Sequence, residues 1–496
     1  MNAAERDNVL WLGGDVDEGL RAELADRRLT LVPSSLPTLT EQLPASRGLV
    51  IDLYSFSSPP AVGQFNNVIV EGLNHGACVA LVWTGDPGST QFHELSGPLL
   101  LPGDGRVFAS LKLGQVAESI ARHKPGPGKP DQQTLKCDSD LAAEDELLIR
   151  RAFSDFETLV LEKRTTGMSG ASVFFVDGLI SRDTKRRHLP YIVKLESLTN
   201  TRRAILVYDE EVTASIPFQN RPALALDRYV EGSQKAALPQ DFVDRAQPLR
   251  DVLRSGSASV FMSSLFEGAL RGFRRRVVPP PNPRPFEEEV IGQAKWTSPD
   301  LQEASEQAHQ LFGSSRSPAA LRAVLAKLGV DEPWCLVHGD LHDKNVYVAA
   351  ASANVILIDF LGVEEGRAVM DPACLEVCLS FPYGTPKDPW LLRDHDHLEP
   401  LYTYPLSTAV AADVPSRQKW LLEAVRAVRI HARAEGDVPE VAYAVAVGCY
   451  LIRFASYPTT GRQSNGPLDR RALAYHLADQ LVKAAADAVT VSALSL

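Results

Sequence analysis

Apolar positions in residues 8–122 fall in short blocks separated by amphipathic stretches. Val9–Leu12, Leu29–Val32, Leu49–Leu53 and Cys78–Trp83 are too short for buried helices and predict strands. Glu18–Ala25, Gln64–His75 and Ser110–His123 carry the wider spacing of helices. Strands alternating with helices predict an α/β domain over residues 1–122, with a parallel sheet covered on both faces. His123–Pro130 reads HKPGPGKP, which removes backbone donors and adds backbone freedom, so 123–140 is expected to be a linker.

Beyond it, Glu144 to Leu161 predicts a helix and Val173–Val176 and Tyr191–Lys194 predict strands. Thr201–Ser215 predicts a further helix, and Leu224–Leu226 and Arg228–Val230 complete a small antiparallel lobe over 141–235. From 236 to 496 helical patterns dominate, closing with Arg417–Ala434, Ala442–Tyr457 and Asp469–Ala488.

At 496 residues the chain is long enough for two or three domains. A net charge of −11 argues against a nucleic-acid or anionic-membrane partner. No apolar run is long enough to span a bilayer; Val438–Ala455 is broken by Glu440 and Arg453 and predicts a buried helix. The N-terminus has early acid and no apolar core, so it does not read as a leader peptide. Six scattered cysteines without a CxxC pair suit a reducing cytoplasm, and Cys374 and Cys378 read as buried small hydrophobes.

Candidate chemistry concentrates in Cys335–Phe360, CLVHGDLHDKNVYVAAASANVILIDF. His338-Gly339-Asp340 precedes Asn345, and Asp359 closes a second apolar run. A hairpin between the two runs brings Asn345 and Asp359 together, where an amide and a carboxylate suit Mg²⁺ shared with nucleotide phosphates. Asp340 then orients a hydroxyl nucleophile or takes its proton. Zinc on His338 and His342 is disfavoured, since Gly339-Asp340 breaks the helix such a pair needs and no HExxH glutamate follows. Upstream, small residues including Gly167, Ser169 and Gly170 form a turn whose amides can approach phosphates, and Lys194 ends a strand at phosphate reach. Glu210 or Glu211 can pair with Lys194, and Glu211 joins this nucleotide-binding set. Arg271, Arg274, Arg275 and Arg276 read either as a solvated helix end or as a phosphate contact. In Pro382–Pro405, Trp390, Asp394, Asp396, Glu399 and Tyr402 read either as a solvated loop or as a pocket for a cationic acceptor.

HGDLHxxN followed by IDF resembles the aminoglycoside phosphotransferase and choline kinase superfamily. Ser169–Phe174 (SGASVF), Lys194 and Asp371–Glu376 (DPACLE) are similar to its members called ternary complex associated domains, from bacterial conflict systems. The resemblance covers roughly residues 155–480 and implies an α+β bilobal protein-kinase-like fold, ATP and Mg²⁺ as cofactors, and a hydroxyl-bearing substrate. It implies catalytic Asp340 with His338 beside it, metal ligands Asn345 and Asp359, phosphate lysine Lys194, and Asp371 as the acid that holds the catalytic loop. Thr165 stands where the kinase loop pattern has its first glycine. Residues 1–122 resemble a receiver (flavodoxin-like) domain, with Asp52 at the phosphoacceptor position, Asp15 or Asp17 as acidic partners and Thr84 after the fourth strand. Gly13-Gly14 replaces the expected acids and Lys112 lacks its following proline, so a scaffold that binds protein partners is the expectation there. The rival to a phosphotransferase is a nucleotide-binding signalling or scaffold module in a bacterial defence complex.

Overall fold

The computed structural model describes residues 6–494 apart from 57–61, 86–93, 95, 97–104, 131, 165–169, 183–184, 276, 278, 281, 314–315, 329–331, 350–352, 383–397, 407–418, 435–437 and 459–467. The chain forms two units, Met1–Arg202 with Ala223–Phe242, and Arg203–Pro222 with Val243–Leu496.

The first unit opens with a parallel sheet of five strands in the order β2-β1-β3-β4-β5: β1 Asn8–Leu12, β2 Thr30–Ser34, β3 Ser46–Asp52, β4 Cys78–Val82 and β5 Val107–Ser110. This is the doubly wound order found in flavodoxin-like sheets. Alternate residues of each strand point to opposite faces. Leu10, Leu12, Leu49, Ile51, Val79 and Leu81 therefore meet Phe65, Ile69 and Leu73 of the helix Val62–Asn74. Val9, Trp11, Val50, Ala80 and Val82 meet Leu20 and Leu24 of Glu18–Ala25 and Val116 and Ile120 of Leu113–Arg122. Each fully buried aliphatic contributes about 1.5–3 kcal/mol, which is why the strands read as unbroken apolar runs.

Asp52 ends β3 and is 1 % exposed. Its carboxylate accepts from the amides of Tyr54 and Thr84 (3.2 Å each), from Ser55 Oγ (2.7 Å) and from Thr84 Oγ1 (2.9 Å). It ties the ends of β3 and β4 together and presents no open oxygen to a phosphate donor. Asp17 caps Glu18–Ala25 by accepting from the Leu20 amide at 2.8 Å, and Asp15 lies exposed.

A second sheet follows in the order β10-β11-β9-β8-β7-β6: β6 Thr134–Cys137, β7 Thr158–Lys163, β8 Ser172–Arg182, β9 Lys185–Ser197, β10 Val230–Glu231 and β11 Lys235–Asp241. Three sequence expectations change here. The linker stops early, because Thr134–Cys137 pairs in parallel with β7 once the prolines are past. The expected helix to Leu161 ends at Ala152, and the alternating Thr158–Lys163 joins the sheet. β11 extends the small lobe past residue 235, and Leu224–Leu226 makes only an isolated bridge before a 3-10 turn.

The two sheets of this unit are joined through Arg151, itself fully buried. Its guanidinium donates to the carbonyls of Pro125 (3.0 Å), Pro127 (3.0 Å), Glu231 (2.8 Å) and Asn74. The fixed donors of the guanidinium thus collect four carbonyls, two of them from the proline-rich stretch that has no ladder partner. Arg106 donates to the Gly232 carbonyl at 2.6 Å, across the same junction. His75 sits beside these cations; burial, then Arg151, Arg6 and Lys129, lowers its pKa from 6.5 to about 4.

In the second unit the helix Met370–Ser380 is buried on every side. Glu376 and Arg429 pair inside it with neither exposed: Arg429 Nε to Oε2 is 3.0 Å and Nη2 to Oε1 is 2.6 Å. Tyr443 donates its hydroxyl to the same carboxylate at 2.7 Å, and Arg429 Nη2 also donates to the Leu401 carbonyl at 2.7 Å. The helices Lys419–Ala434 and Glu440–Ala455 pack on this helix, and Leu468–Leu494 and Pro299–Phe312 pack behind Glu440–Ala455. Cys374 and Cys378 are buried free thiols of the central helix. Among the described residues no helix is long and apolar enough to cross a membrane.

Two outcomes follow from these buried charges. Arg429→Met strands the Glu376 carboxylate and lowers unfolding free energy by about 3–5 kcal/mol in urea titrations, whereas the double change Glu376→Leu/Arg429→Met recovers much of the loss. For His75 the folded pKa of about 4 lies below the ordinary 6.5, so the unfolded chain takes up the proton first. Stability is full above pH 6.5 and falls by up to about 3 kcal/mol as pH approaches 4. His75→Gln flattens that part of the stability–pH curve.

Candidate active site

The loop after the strand β13 Trp334–Val337 is held from behind. Antiparallel pairing of Val337 with Glu364 at the start of β16 Glu364–Arg367 brings the helix Met370–Ser380 under His338. Asp371, in the first turn of that helix, accepts the His338 amide at 2.7 Å and the Gly339 amide at 3.1 Å. Burial raises the Asp371 pKa, and His338 with the two amides opposes that rise. Gly339 turns the chain with φ +75°, and a Cβ there would lie 2.1 Å from the Gly362 carbonyl oxygen, so only glycine fits.

His338 is fully buried, and its Nε2 donates to the Ile358 carbonyl at 3.0 Å, with its ring 5.4 Å from Phe360. Expected beside Asp340 in catalysis, His338 turns its ring inward and ties the loop to the segment that carries Asp359.

Asp340 faces outward, with its side chain 42 % exposed. Burial of the surrounding loop works against its charge, but His342, Arg453 and His338 outweigh that, and its pKa falls to about 2. His342 Nε2 lies 3.5 Å from Oδ2 and Arg453 Nη2 lies 3.9 Å from Oδ1. The His342 pKa is raised, burial opposing and Asp340 prevailing. Asp343 is fixed by Arg250, whose Nε lies 2.7 Å away and whose Nη2 donates to the Cys378 carbonyl at 2.6 Å.

Strands β14 Val346–Ala349 and β15 Asn354–Leu357 pair with Val346 opposite Leu357. The Ile358 amide donates to the Asn345 carbonyl at 3.0 Å, so Asn345 stands beside Asp359 as the hairpin reading expects. Asn345 Nδ2 donates to the Asp340 carbonyl at 2.9 Å, so a metal at this position would meet its side-chain oxygen. Asp359 is exposed and left-handed, φ 61° and ψ 68°, a conformation aspartate tolerates and functional sites retain. An amide oxygen and a carboxylate are hard donors that fit magnesium. Among the described residues no group of three His, Cys, Asp or Glu side chains could hold a metal unaided, so such an ion would complete its shell with phosphates and water.

The expected nucleotide residues divide between the units. In the first, the β7–β8 hairpin carries the small-residue turn; Gly167 and Ser169 lie outside the described residues, and Gly170 has φ +78°. Lys194 stands across from Val173 near that turn and pairs with Glu196, Nζ to Oε2 2.9 Å. Asn200 Nδ2 also donates to Glu196, at 2.9 Å. Glu211 is half-buried in the irregular turn Tyr208–Val212 of the second unit. The ion pair seen for Lys194 is therefore with an acid two residues along its own strand.

Three cations were missed or given no role by sequence. Arg453 was visible only as the charge interrupting an apolar helix, and Lys295 and Arg250 carry no motif. Of the expected acceptor residues, Tyr402 is in the core, donating to Ser380 Oγ at 2.6 Å with Arg429 5.9 Å from its ring, so it cannot face an acceptor. Glu399 is half-buried, while Trp390, Asp394 and Asp396 lie outside the described residues. The arginine cluster does not converge: Arg274 packs over Phe266 and Arg271 and Arg275 are exposed, with Arg276 outside the described residues.

No curated protein matches the chain. Among solved structures it is similar to the aminoglycoside phosphotransferase APH(3'')-Id from Streptomyces rimosus, at 18% identity over 57% of this chain and 96% of that one, with a TM-score of 0.30. It is also similar to an ethanolamine kinase from Plasmodium vivax, at 11% identity over 59% of this chain and 74% of that one, with a TM-score of 0.31. Residues 216–400, less than half of the chain, match the phosphotransferase enzyme family, and that stretch contains Asp340, Asn345, Asp359 and Asp371.

Proposed function

We propose that the chain is an ATP- and magnesium-dependent phosphotransferase that moves the γ-phosphate to a hydroxyl acceptor, through a bilobal kinase-like region preceded by a receiver-like domain. The observation that carries this reading is the Asp371-anchored loop, which presents an ionised Asp340 beside Asn345 and Asp359. The match of residues 216–400 to the phosphotransferase enzyme family supports it. The receiver-like part rests on strand order alone. With Asp52 saturated by its own neighbours, that domain acts as a scaffold for protein partners.

In this reading Asp340 accepts a hydrogen bond from the acceptor hydroxyl and aims its oxygen at the γ-phosphorus. A carboxylate with a pKa of about 2 holds a proton weakly, so Asp340 orients the hydroxyl and takes its proton only as the new P–O bond forms. Asn345 and Asp359 would hold magnesium, which when bound offsets the negative charge of the nucleotide phosphates. Lys194, paired with Glu196 on its own strand, is the expected phosphate lysine of this reading. Asp371, His338 and Gly339 keep Asp340 in place without touching reactants.

Incubation with γ-labelled ATP and magnesium is expected to release or transfer label, and Asp340→Asn is expected to slow this about 10²–10⁴-fold. Asp371→Asn is expected to lower kcat about a hundredfold while leaving the KM for ATP nearly unchanged, the mark of a displaced loop and not of a lost ligand. Wild-type protein that binds Mg·ATP and turns none of it over sinks the enzyme reading.

A further inference from the structure

Asp340 is surrounded by cations. Arg453, in the last turn of Glu440–Ala455, reaches to 3.9 Å from its carboxylate and donates from Nε to Tyr457 Oη at 3.1 Å. Lys295, from the short helix Gln293–Trp296, places its ammonium 4.3 Å from the centre of the Tyr457 ring. Tyr457 thus carries both cations, one on its face and one at its hydroxyl. Among the described residues no acid lies within ion-pairing distance of Lys295. Burial, and then the neighbouring Arg453, lowers its pKa to about 8, with Asp340 opposing. Half-burying an ammonium beside a guanidinium costs stability, and a protein retains that arrangement where a ligand uses it.

Resting on the phosphotransferase reading, we propose that the hydroxyl served by Asp340 belongs to an anionic acceptor, whose phosphate or carboxylate group is received by Lys295 and Arg453 over Tyr457. Among the described residues, His342 and Arg453 lie nearest the Asp340 carboxylate and Lys295 acts on it from beyond ion-pairing distance, a setting that favours an anion over the cationic amines suggested by the acidic 382–405 stretch. An ammonium and a guanidinium on one ring form a two-pronged anion receptor, the guanidinium offering parallel donors and the ammonium a point charge. A hydroxyl attached near that anion falls against Asp340. The assignment makes Lys295 and Arg453 specificity-determining residues.

The test uses the full-length protein saturated with Mg·ADP and two probe alcohols of similar size, glycerol 3-phosphate and choline. Titration calorimetry is expected to show glycerol 3-phosphate binding, weakened roughly tenfold or more in Lys295→Met and in Arg453→Gln, as for loss of a hydrogen bond to a charged group. Choline is expected not to bind. Unchanged melting temperatures separate lost affinity from lost fold, and Lys295→Arg is expected to restore most of the binding. No binding of glycerol 3-phosphate up to about 20 mM overturns the proposal, as does equal binding by the variants or tighter binding of choline. Variants that bind the probe normally but show a raised KM for ATP assign the two cations to the nucleotide and also overturn it. ATP turnover in the same preparation separates the two readings. Turnover that depends on Asp340 without probe binding removes only the anionic acceptor, whereas probe binding with turnover indifferent to Asp340→Asn removes the phosphotransferase and leaves an anion site.

Discussion

The second unit depends on one buried carboxylate. Asp371 accepts two consecutive backbone amides, those of His338 and Gly339, at the point where β13 ends and the chain must turn. A buried loop with unpaired amides is costly, and a side chain three strands further along the chain supplies the missing acceptors. The turn that results admits no Cβ at Gly339, buries His338 and leaves Asp340 facing out. Exposure of Asp340 and burial of its neighbours are two consequences of the same pair of hydrogen bonds.

That anchor holds only if its helix does not move. Met370–Ser380 has no solvent face, so it has no amphipathic stripe to orient it. Orientation comes instead from the Glu376–Arg429 pair with Tyr443, and from Arg250, which joins Asp343 of the loop to the Cys378 carbonyl. Buried ion pairs add little net stability over apolar packing, but a wrongly rotated helix would strand both charges. Here they specify one rotation of a helix that apolar packing alone would leave under-determined. Arg151 does comparable work in the first unit, where carbonyls freed by prolines converge on one guanidinium.

Around Asp340 the local charge departs from the average of the chain. The chain is acidic overall, yet among the described residues the groups nearest the carboxylate are His342 and Arg453, with Lys295 acting from beyond ion-pairing distance. Tyr402, counted with the acceptor pocket by sequence, is a core residue of the Arg429 cluster. Net charge governs long-range steering, whereas recognition is decided within a few ångströms, where two residues outweigh the average.

Local pattern was sufficient for much of this. Apolar runs on the sheet of residues 8–110 read as strands because both faces are buried, and the short hairpin that sets Asn345 beside Asp359 follows from two runs and a polar turn. Asp340, its glycine and Asp371 were legible because catalytic loops need fixed residue types at fixed short spacings. Boundaries failed where pairing overrode local preference: Thr158–Lys163 continues a helical pattern but is drawn into the sheet by β6 and β8. Pairings set by the pleat were not read from motif spacing: Glu196 faces Lys194 because alternate residues of one strand share a face. The sequence alone thus determined which residues cluster in the loop and hairpin of the candidate site, since short spacing encodes local geometry. Only the tertiary structure decided what surrounds them, because Arg453 reaches Asp340, and Lys295 and Arg453 meet at Tyr457, through helix packing that no local spacing records.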